Sequence, residues 1–199
     1  MRRLLTCLLL VALASVNSAC TSFAAPRKDQ FYRLPDSIEN TSLSAGAGVI
    51  VYVPPLLASG LHGERALIYA HDDGTSLEQY TYHYWVDSPR LLLQQALAAQ
   101  LRVGGARRIV TAPSADAKYT VRGYLRKFER HGLAPGTAEV SLEFELLEAS
   151  SDAPEFVRAY QRSVPLRDAE MATCAAALGQ AAQDILASLV TDLQAHWAP

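Results

Sequence analysis

One stretch, residues 138–147, constrains the fold more than any other, because apolar and polar side chains alternate along it. Such a period of two predicts a strand with one face in a hydrophobic core and the other in water. Residues 119–129 and 156–165 are expected to pair with this strand on either side as antiparallel neighbours. Three glutamates are expected on the far face of the sheet, which would be hydrated or form an interaction surface. These glutamates are Glu139, Glu143 and Glu145.

Two segments have the apolar period of a helix. Ser88 and Pro89 begin the first, because serine is a good N-cap and proline fits the first helical position. An apolar stripe at steps of four follows, formed by Leu93, Leu97 and Leu101. The second helix is predicted over 168–196, where seven residues recur at helical spacing. They are Met171, Cys174, Leu178, Ala182, Ile185, Leu189 and Leu193.

Shorter strands are predicted upstream of the first helix. Residues 49–53 form a short apolar run that ends at two prolines. Residues 67–70 and 77–85 are expected to form a hairpin around the turn 71–74, because its Asp-Gly step tolerates positive φ angles. This order of elements predicts an α+β fold, a mostly antiparallel sheet with the two main helices packed on one face.

The second arm of the predicted hairpin contains three alternate tyrosines, Tyr80, Tyr82 and Tyr84. On a regular strand they share one face, while Trp85 lies on the other. Contact with a lipid or a partner protein is one interpretation, because tyrosine and tryptophan are enriched at interfaces. A strand packed on both sides is the other interpretation, because aromatic residues also favour strands.

No pattern in the sequence indicates catalysis or a cofactor. None of the five histidines stands at a metal-ligand spacing from another histidine or a cysteine, and no serine lies in a nucleophile-elbow motif. Cys174 has no nearby base or positive field and is predicted to be a buried helix residue. The net charge of −2 gives no indication of nucleic acid binding. We therefore expect no enzyme, no metal site and no cofactor.

Residues 1–19 have the order of parts of a lipoprotein signal peptide: a basic pair, an apolar run and small residues before Cys20. The apolar run is too short for a transmembrane helix, which needs about 20 residues. Ser18-Ala19-Cys20 resembles the lipobox of bacterial lipoproteins, with Asn17 where that motif usually has an aliphatic residue. The resemblance implies lipid attachment at Cys20. Residues 20–30 are mostly short and polar and contain Pro26, so they are predicted to be a lipidated tether, and the length of 31–199 suits a single domain. A plain signal peptide with a chance cysteine is the alternative.

Motifs further along the chain occur in an order that resembles a known family. They are Phe31-Tyr32-Arg33-Leu34, the run 49–55, Arg65-Ala66-Leu67-Ile68-Tyr69 and Tyr84-Trp85-Val86-Asp87-Ser88-Pro89. Together they resemble the auxiliary lipoprotein components of ABC-type transporters, the PqiC-like group. The most specific part is the passage from Tyr69 through Trp85 to Pro89.

The resemblance implies a non-enzymatic lipoprotein on the periplasmic face of the outer membrane, with the inner membrane as the less favoured location. Its partners would be a periplasmic MCE-domain protein of the MlaD type and the ABC permease and ATPase that work with it. The chain would dock the MCE protein in lipid transport between the two membranes. The alternative function is an assembly or stabilising lipoprotein for an outer-membrane machine, and a homo-oligomer stays open.

Overall fold

The computed structural model describes residues 26–35, 48–103, 107–132, 135–151 and 153–197. Residues 1–25, which include the predicted signal peptide and Cys20, lie outside the described residues. The strands are β1 Gln30–Tyr32, β2 Ile50–Tyr52, β3 Leu57–Ala58, β4 Ala66–Ala70, β5 Leu77–Trp85, β6 Arg108–Val110, β7 Tyr119–His131, β8 Thr137–Glu148 and β9 Phe156–Pro165. The helices are α1 Pro89–Val103 and α2 Met171–His196, with a short 3-10 helix at Gly60–Gly63.

The long strand β7 organises the sheet. β8 pairs antiparallel with it along one side, and β9 pairs antiparallel with β8. Along the other side of β7, three short strands follow one another: β2, then β3, then β4, all parallel to it. β6 extends the sheet beyond β2, while β5 and then β1 extend it beyond β4. β1 and β9 therefore lie at opposite edges.

The α+β class is confirmed, but the sheet is mixed, and the prediction of a mostly antiparallel sheet is wrong in this respect. Five of the strand pairings among the described residues are parallel, and three are antiparallel. The antiparallel part is the β7–β8–β9 unit together with the β4–β5 hairpin. The parallel part arises because residues 50–70 run along β7 in its own direction, in three strands of two to five residues.

The hydrophobic core lies between one face of the sheet and the two helices. The five alternating apolar residues of β8, from Ala138 to Leu146, are fully buried there, as their alternation predicts. They pack in one cluster with the apolar stripe of α2, which includes Leu178, Ile185 and Leu189. Burying a side chain of this size contributes roughly 1.5–3 kcal/mol, so these two elements supply a large part of the stability.

Polar contacts fix the helices on this face. Gln94 of α1 donates a hydrogen bond to the carbonyl oxygen of Val53 at 2.8 Å, which attaches α1 to the chain just after β2. Gln100 of α1 donates to Gln183 of α2 at 2.5 Å, and Gln183 in turn donates to the carbonyl oxygen of Pro35 at 3.0 Å. In the part of the chain that is described, no helix has the length and apolar character needed to cross a membrane.

Candidate functional site

The tyrosines that the sequence singles out lie in an irregular part of β5. Ala66 of β4 stands opposite Tyr84, but Ile68 stands opposite Gln79, so two steps along β4 match five steps along β5. Within this bulge Tyr82 has a φ of 68°, in the left-handed region that a bulky side chain rarely adopts. The bulge therefore breaks the regular alternation of faces between Gln79 and Tyr84.

As a consequence, Tyr80 and Tyr84 lie on opposite faces of the sheet, and the prediction that the three tyrosines share one face is wrong. Tyr80 packs on the helix-covered face, 4.7 Å from the Tyr69 ring between ring centroids. Its hydroxyl accepts a hydrogen bond from Nη1 of Arg130 at 3.2 Å. Tyr84 lies on the other, open face, where its ring is 5.9 Å from that of Phe31.

An open cleft of about 350 Å³ lies on the open face where β1, β5 and β4 meet. Its lining combines aromatic rings with both signs of charge. The lining residues are Asp29, Phe31, Glu64, Arg65, Ala66, Gln79 and Tyr84. The Arg65 guanidinium lies 5.7 Å from the centre of the Phe31 ring, and its Nε donates to the carbonyl oxygen of Trp85 at 3.2 Å.

Apolar side chains remain exposed on β1, on β5 and directly after β5, at the edge of the sheet that holds this cleft. Phe31 is 55% exposed, Val86 is 43% exposed and Tyr82 is 37% exposed. Val86 follows β5 directly and donates its backbone N–H to the carbonyl oxygen of Tyr32 at 2.7 Å, which keeps it beside β1. We call Phe31, Tyr82, Tyr84 and Val86 the aromatic edge.

The helix-covered side beneath the aromatic edge is a packed core. Trp85 is buried and its ring lies 5.1 Å from that of Phe128. The Tyr32 hydroxyl is 2.9 Å from Nδ1 of His83. Cys174 of α2 is 1% exposed, and this burial raises the pKa of its thiol to about 11. At neutral pH this thiol is protonated and enclosed, so it has the properties of a packing residue.

The open face of β7 and β8 differs from the aromatic edge, because its charged residues pair across the two strands. We call these pairs the charge ladder. They are Arg122 with Glu145 at 3.4 Å, Arg126 with Glu143 at 3.0 Å and Lys127 with Glu139 at 2.9 Å. The hydrogen bond from Lys127 to Glu139 raises the pKa of the lysine. The predicted wet glutamates are thus matched by cations of the neighbouring strand.

A buried pair that sequence reasoning missed joins His62 of the 3-10 helix to Glu129 of β7. The distance from Nε2 to Oε2 is 2.6 Å, and both residues are buried. No sequence signal could have found this pair, because the two residues are far apart along the chain. Within the described ranges, no group of three histidine, cysteine, aspartate or glutamate side chains is placed to hold a metal ion.

Comparison with known proteins shows two kinds of similarity. A family model described as "ABC-type transport auxiliary lipoprotein component" matches residues 32–190. No curated protein matches the sequence significantly. Protein XCC0632 from Xanthomonas campestris superposes with a TM-score of 0.69 at 18% identity, covering 85% of this chain and 99% of that one.

Two further solved structures share the fold at lower similarity. The PelC dodecamer from Paraburkholderia phytofirmans gives a TM-score of 0.51 at 19% identity, covering 77% of this chain and 94% of that chain. The hypothetical protein CT253 from Chlamydia trachomatis gives a TM-score of 0.50 at 8% identity, with coverages of 74% and 96%. At these identities the structures indicate a shared fold and nothing more specific.

Proposed function

The chain belongs to the family of ABC-type transport auxiliary lipoprotein components, and we propose that it is a non-enzymatic, lipid-anchored subunit of a system that transports lipid between membranes. The observation that carries this proposal is the family match over residues 32–190, which spans nearly all of the described fold. The proposal is consistent with a cleft made of aromatic and charged side chains. Cys174, on the other side of the sheet in α2, is too buried to act as a nucleophile.

The anchor in this proposal is the Cys20 thiol, within a chain divided into a signal peptide over 1–19, a tether over 20–30 and one domain over 31–199. Its support is the Ser18-Ala19-Cys20 motif, which stands a short distance before β1. Two acyl chains hold a protein stably on a membrane, since each buried methylene contributes about 0.8 kcal/mol. We propose the periplasmic face of the outer membrane as its location.

The two cysteines of residues 20–199, Cys20 and Cys174, allow a direct test of lipid anchoring. Cells expressing the full chain are labelled with a palmitate analogue, and the Cys20→Ser variant is expected to lose the label. Cys174→Ser serves as the control and is expected to keep it, because that thiol is buried within α2. Unchanged labelling of Cys20→Ser would refute the proposed attachment site.

The proposed partner is a periplasmic MCE-domain protein of the MlaD type, acting with an ABC permease and ATPase. The family's description as a transport component supports the ABC system, and the MCE protein is what the resemblance of the sequence motifs implies. The tagged full chain is expected to retain the MCE protein during purification in mild detergent. Tyr82 and Tyr84 are the proposed contact residues for a lipid or partner, while the half-buried Tyr80 supports the strand beneath them.

A homo-oligomer and an assembly role are secondary proposals. The homo-oligomer is supported by the similar fold of PelC, whose structure is a dodecamer. Light scattering of the purified full chain measures its mass, and a stable monomer would refute the oligomer. Retention of an outer-membrane barrel protein in place of the MCE protein would favour the alternative role, a stabilising lipoprotein for an outer-membrane machine.

A further inference from the structure

We propose that the aromatic edge, together with Arg65, lies against the lipid headgroup layer of the membrane that anchors the chain. The proposal rests on the proposed acylation of Cys20 and adds to it the orientation of the domain. The starting observation is that Asp29, which lines the cleft beside the aromatic edge, is only nine residues after Cys20. Residue 26 is only three residues before Asp29.

The length of the tether limits which side of the domain can face the membrane. Six residue steps separate Cys20 from Pro26, and fully extended they span at most about 20 Å. A domain of about 170 residues is roughly 40 Å across, from the usual scaling of its radius with length. The tether is therefore too short to pass around the domain, and the surface near β1 stays closest to the lipid.

The side chains of this surface suit a headgroup layer. Aromatic residues with a polar end, such as Tyr82 and Tyr84, are enriched where hydrocarbon meets water. Phe31 and Val86 add exposed apolar area next to them. A surface of adjacent exposed apolar residues marks an interaction site more often than scattered single residues do.

The charges at this end also favour lipid phosphates. Arg27, Lys28 and Arg33 are exposed on both sides of β1, and Arg65 lies within the cleft. Against these four cations stand three anions, Asp29 and Glu64 in the cleft and Asp87 directly after Val86, which leaves one positive charge in excess. The local excess of positive charge contrasts with the whole-chain net charge of −2. Cations close to a membrane surface are attracted to its phosphate groups.

The opposite edge of the sheet provides a matched reference. Val157 of β9 is 55% exposed, the same fraction as Phe31. Five strand-to-strand steps separate β1 from β9 through β5, β4, β7 and β8, a distance of roughly 24 Å. If the aromatic edge faces the membrane, Val157 is held away from it.

The experiment uses the mature chain, residues 20–199, with its Cys20 thiol coupled to a maleimide-bearing phospholipid. The vesicles contain phosphatidylethanolamine and phosphatidylglycerol at a ratio of about three to one. Cys174 is 1% exposed and does not compete for the reagent. Phe31→Trp and Val157→Trp are compared in vesicles whose lipids carry a doxyl quencher near the headgroup. The signal of Trp85 and Trp197 in the unsubstituted chain is subtracted.

Quenching of Phe31→Trp at least two-fold stronger than that of Val157→Trp, with a shift of its emission to shorter wavelength, is the expected result. A triple variant, Lys28→Glu with Arg33→Glu and Arg65→Glu, is expected to reduce this quenching in the Phe31→Trp background. Equal quenching at the two positions, or stronger quenching at Val157→Trp, would overturn the proposal. If the emission of Phe31→Trp instead shifts with protein concentration in the absence of vesicles, a second copy of the chain covers the aromatic edge. That result would also overturn the proposal.

Because the maleimide-bearing phospholipid attaches Cys20 to the vesicle, the quenching experiment does not depend on acylation of Cys20 in cells. Mass spectrometry of the chain isolated from cell membranes reports whether Cys20 is acylated there. An unmodified Cys20 would refute the natural anchor and, with it, the premise of the orientation. An acylated Cys20 with no selective quenching of Phe31→Trp would leave the anchor in place and refute the orientation alone.

Discussion

The charge ladder and the aromatic edge lie at two ends of the same sheet, and their exposed side chains differ in whether they find partners within the fold. In the ladder, each cation of β7 reaches a carboxylate of β8 within 2.9–3.4 Å. At the aromatic edge, Phe31, Tyr82 and Val86 remain substantially exposed. The charge ladder pairs its charged groups within the fold. The aromatic edge leaves apolar surface exposed, where a lipid or another protein can bind.

The two ends also differ in what supports them. The ladder lies on long antiparallel strands whose other face is buried in the hydrophobic core. The aromatic edge lies on a bulged strand and a three-residue edge strand. Short, irregular elements can change their side-chain arrangement at a small cost in free energy, whereas a long paired ladder cannot. This difference indicates that the edge is the end of the sheet better suited to accommodate a partner surface.

The largest expected effect is a difference in stability between substitutions on the two faces of β5. Trp85→Ala is expected to lower the free energy of unfolding by about 3–5 kcal/mol, because a large buried ring is removed from the core. Tyr84→Ala, one residue away on the open face, is expected to cost clearly less than half of that. Urea denaturation followed by circular dichroism measures both. Equal losses would show that Tyr84 belongs to the core and that the aromatic edge is structural.

A second prediction concerns the support beneath the ladder. Gly123 of β7 has no room for a side chain, because a Cβ atom there would lie 2.7 Å from both Leu56 Cγ and Phe144 Cε1. Gly123→Ala is expected to lower the free energy of unfolding by about 1–3 kcal/mol through overpacking. Gly63→Ala is the control, since a Cβ atom at Gly63 has no neighbour within 4 Å. The same denaturation series compares them, and equal stabilities would contradict the close packing under β7.

The regular part of this fold was predictable because its signals are long. The alternation in β8 and the helical period of α2 each extend over many residues, and both elements form as predicted. The parallel strands were not predictable in direction, since β2 and β3 have only three and two residues. Pairing of such short strands with β7 is decided by contacts distant in sequence, for which no local pattern exists.

The candidate site was predicted only in part, and the bulge in β5 explains why. Alternation placed Tyr80 with Tyr84, but the bulge moves them to opposite faces. A positive φ is usually signalled by glycine or asparagine, and here it occurs at Tyr82. The cleft also combines residues of β1, the segment before β4, and β5 itself, which only the fold brings together. Lipid attachment at Cys20 stays a prediction.

The smallest expected effect tests the ladder itself. A double-mutant cycle on Arg126 and Glu143 combines Arg126→Ala, Glu143→Ala and the double variant. Because the Arg126 side chain is half exposed, the coupling energy is expected to be about 0.2–1 kcal/mol. The Arg126 guanidinium also lies 5.0 Å from the centre of the Tyr124 ring, so Arg126→Ala is expected to cost more than Glu143→Ala.

The salt dependence of the coupling energy between Arg126 and Glu143 shows whether the charge ladder is hydrated. In 1 M NaCl the screening length falls to about 3 Å, and the coupling of a hydrated pair is expected to decrease. A weak, salt-sensitive coupling means that the ladder contributes little stability and mainly keeps this part of the open face polar, which disfavours apolar partners there. A coupling above about 2 kcal/mol that persists in salt would instead indicate a desolvated network. The ladder would then be a second, covered surface, and the contrast with the aromatic edge would no longer identify a single contact site.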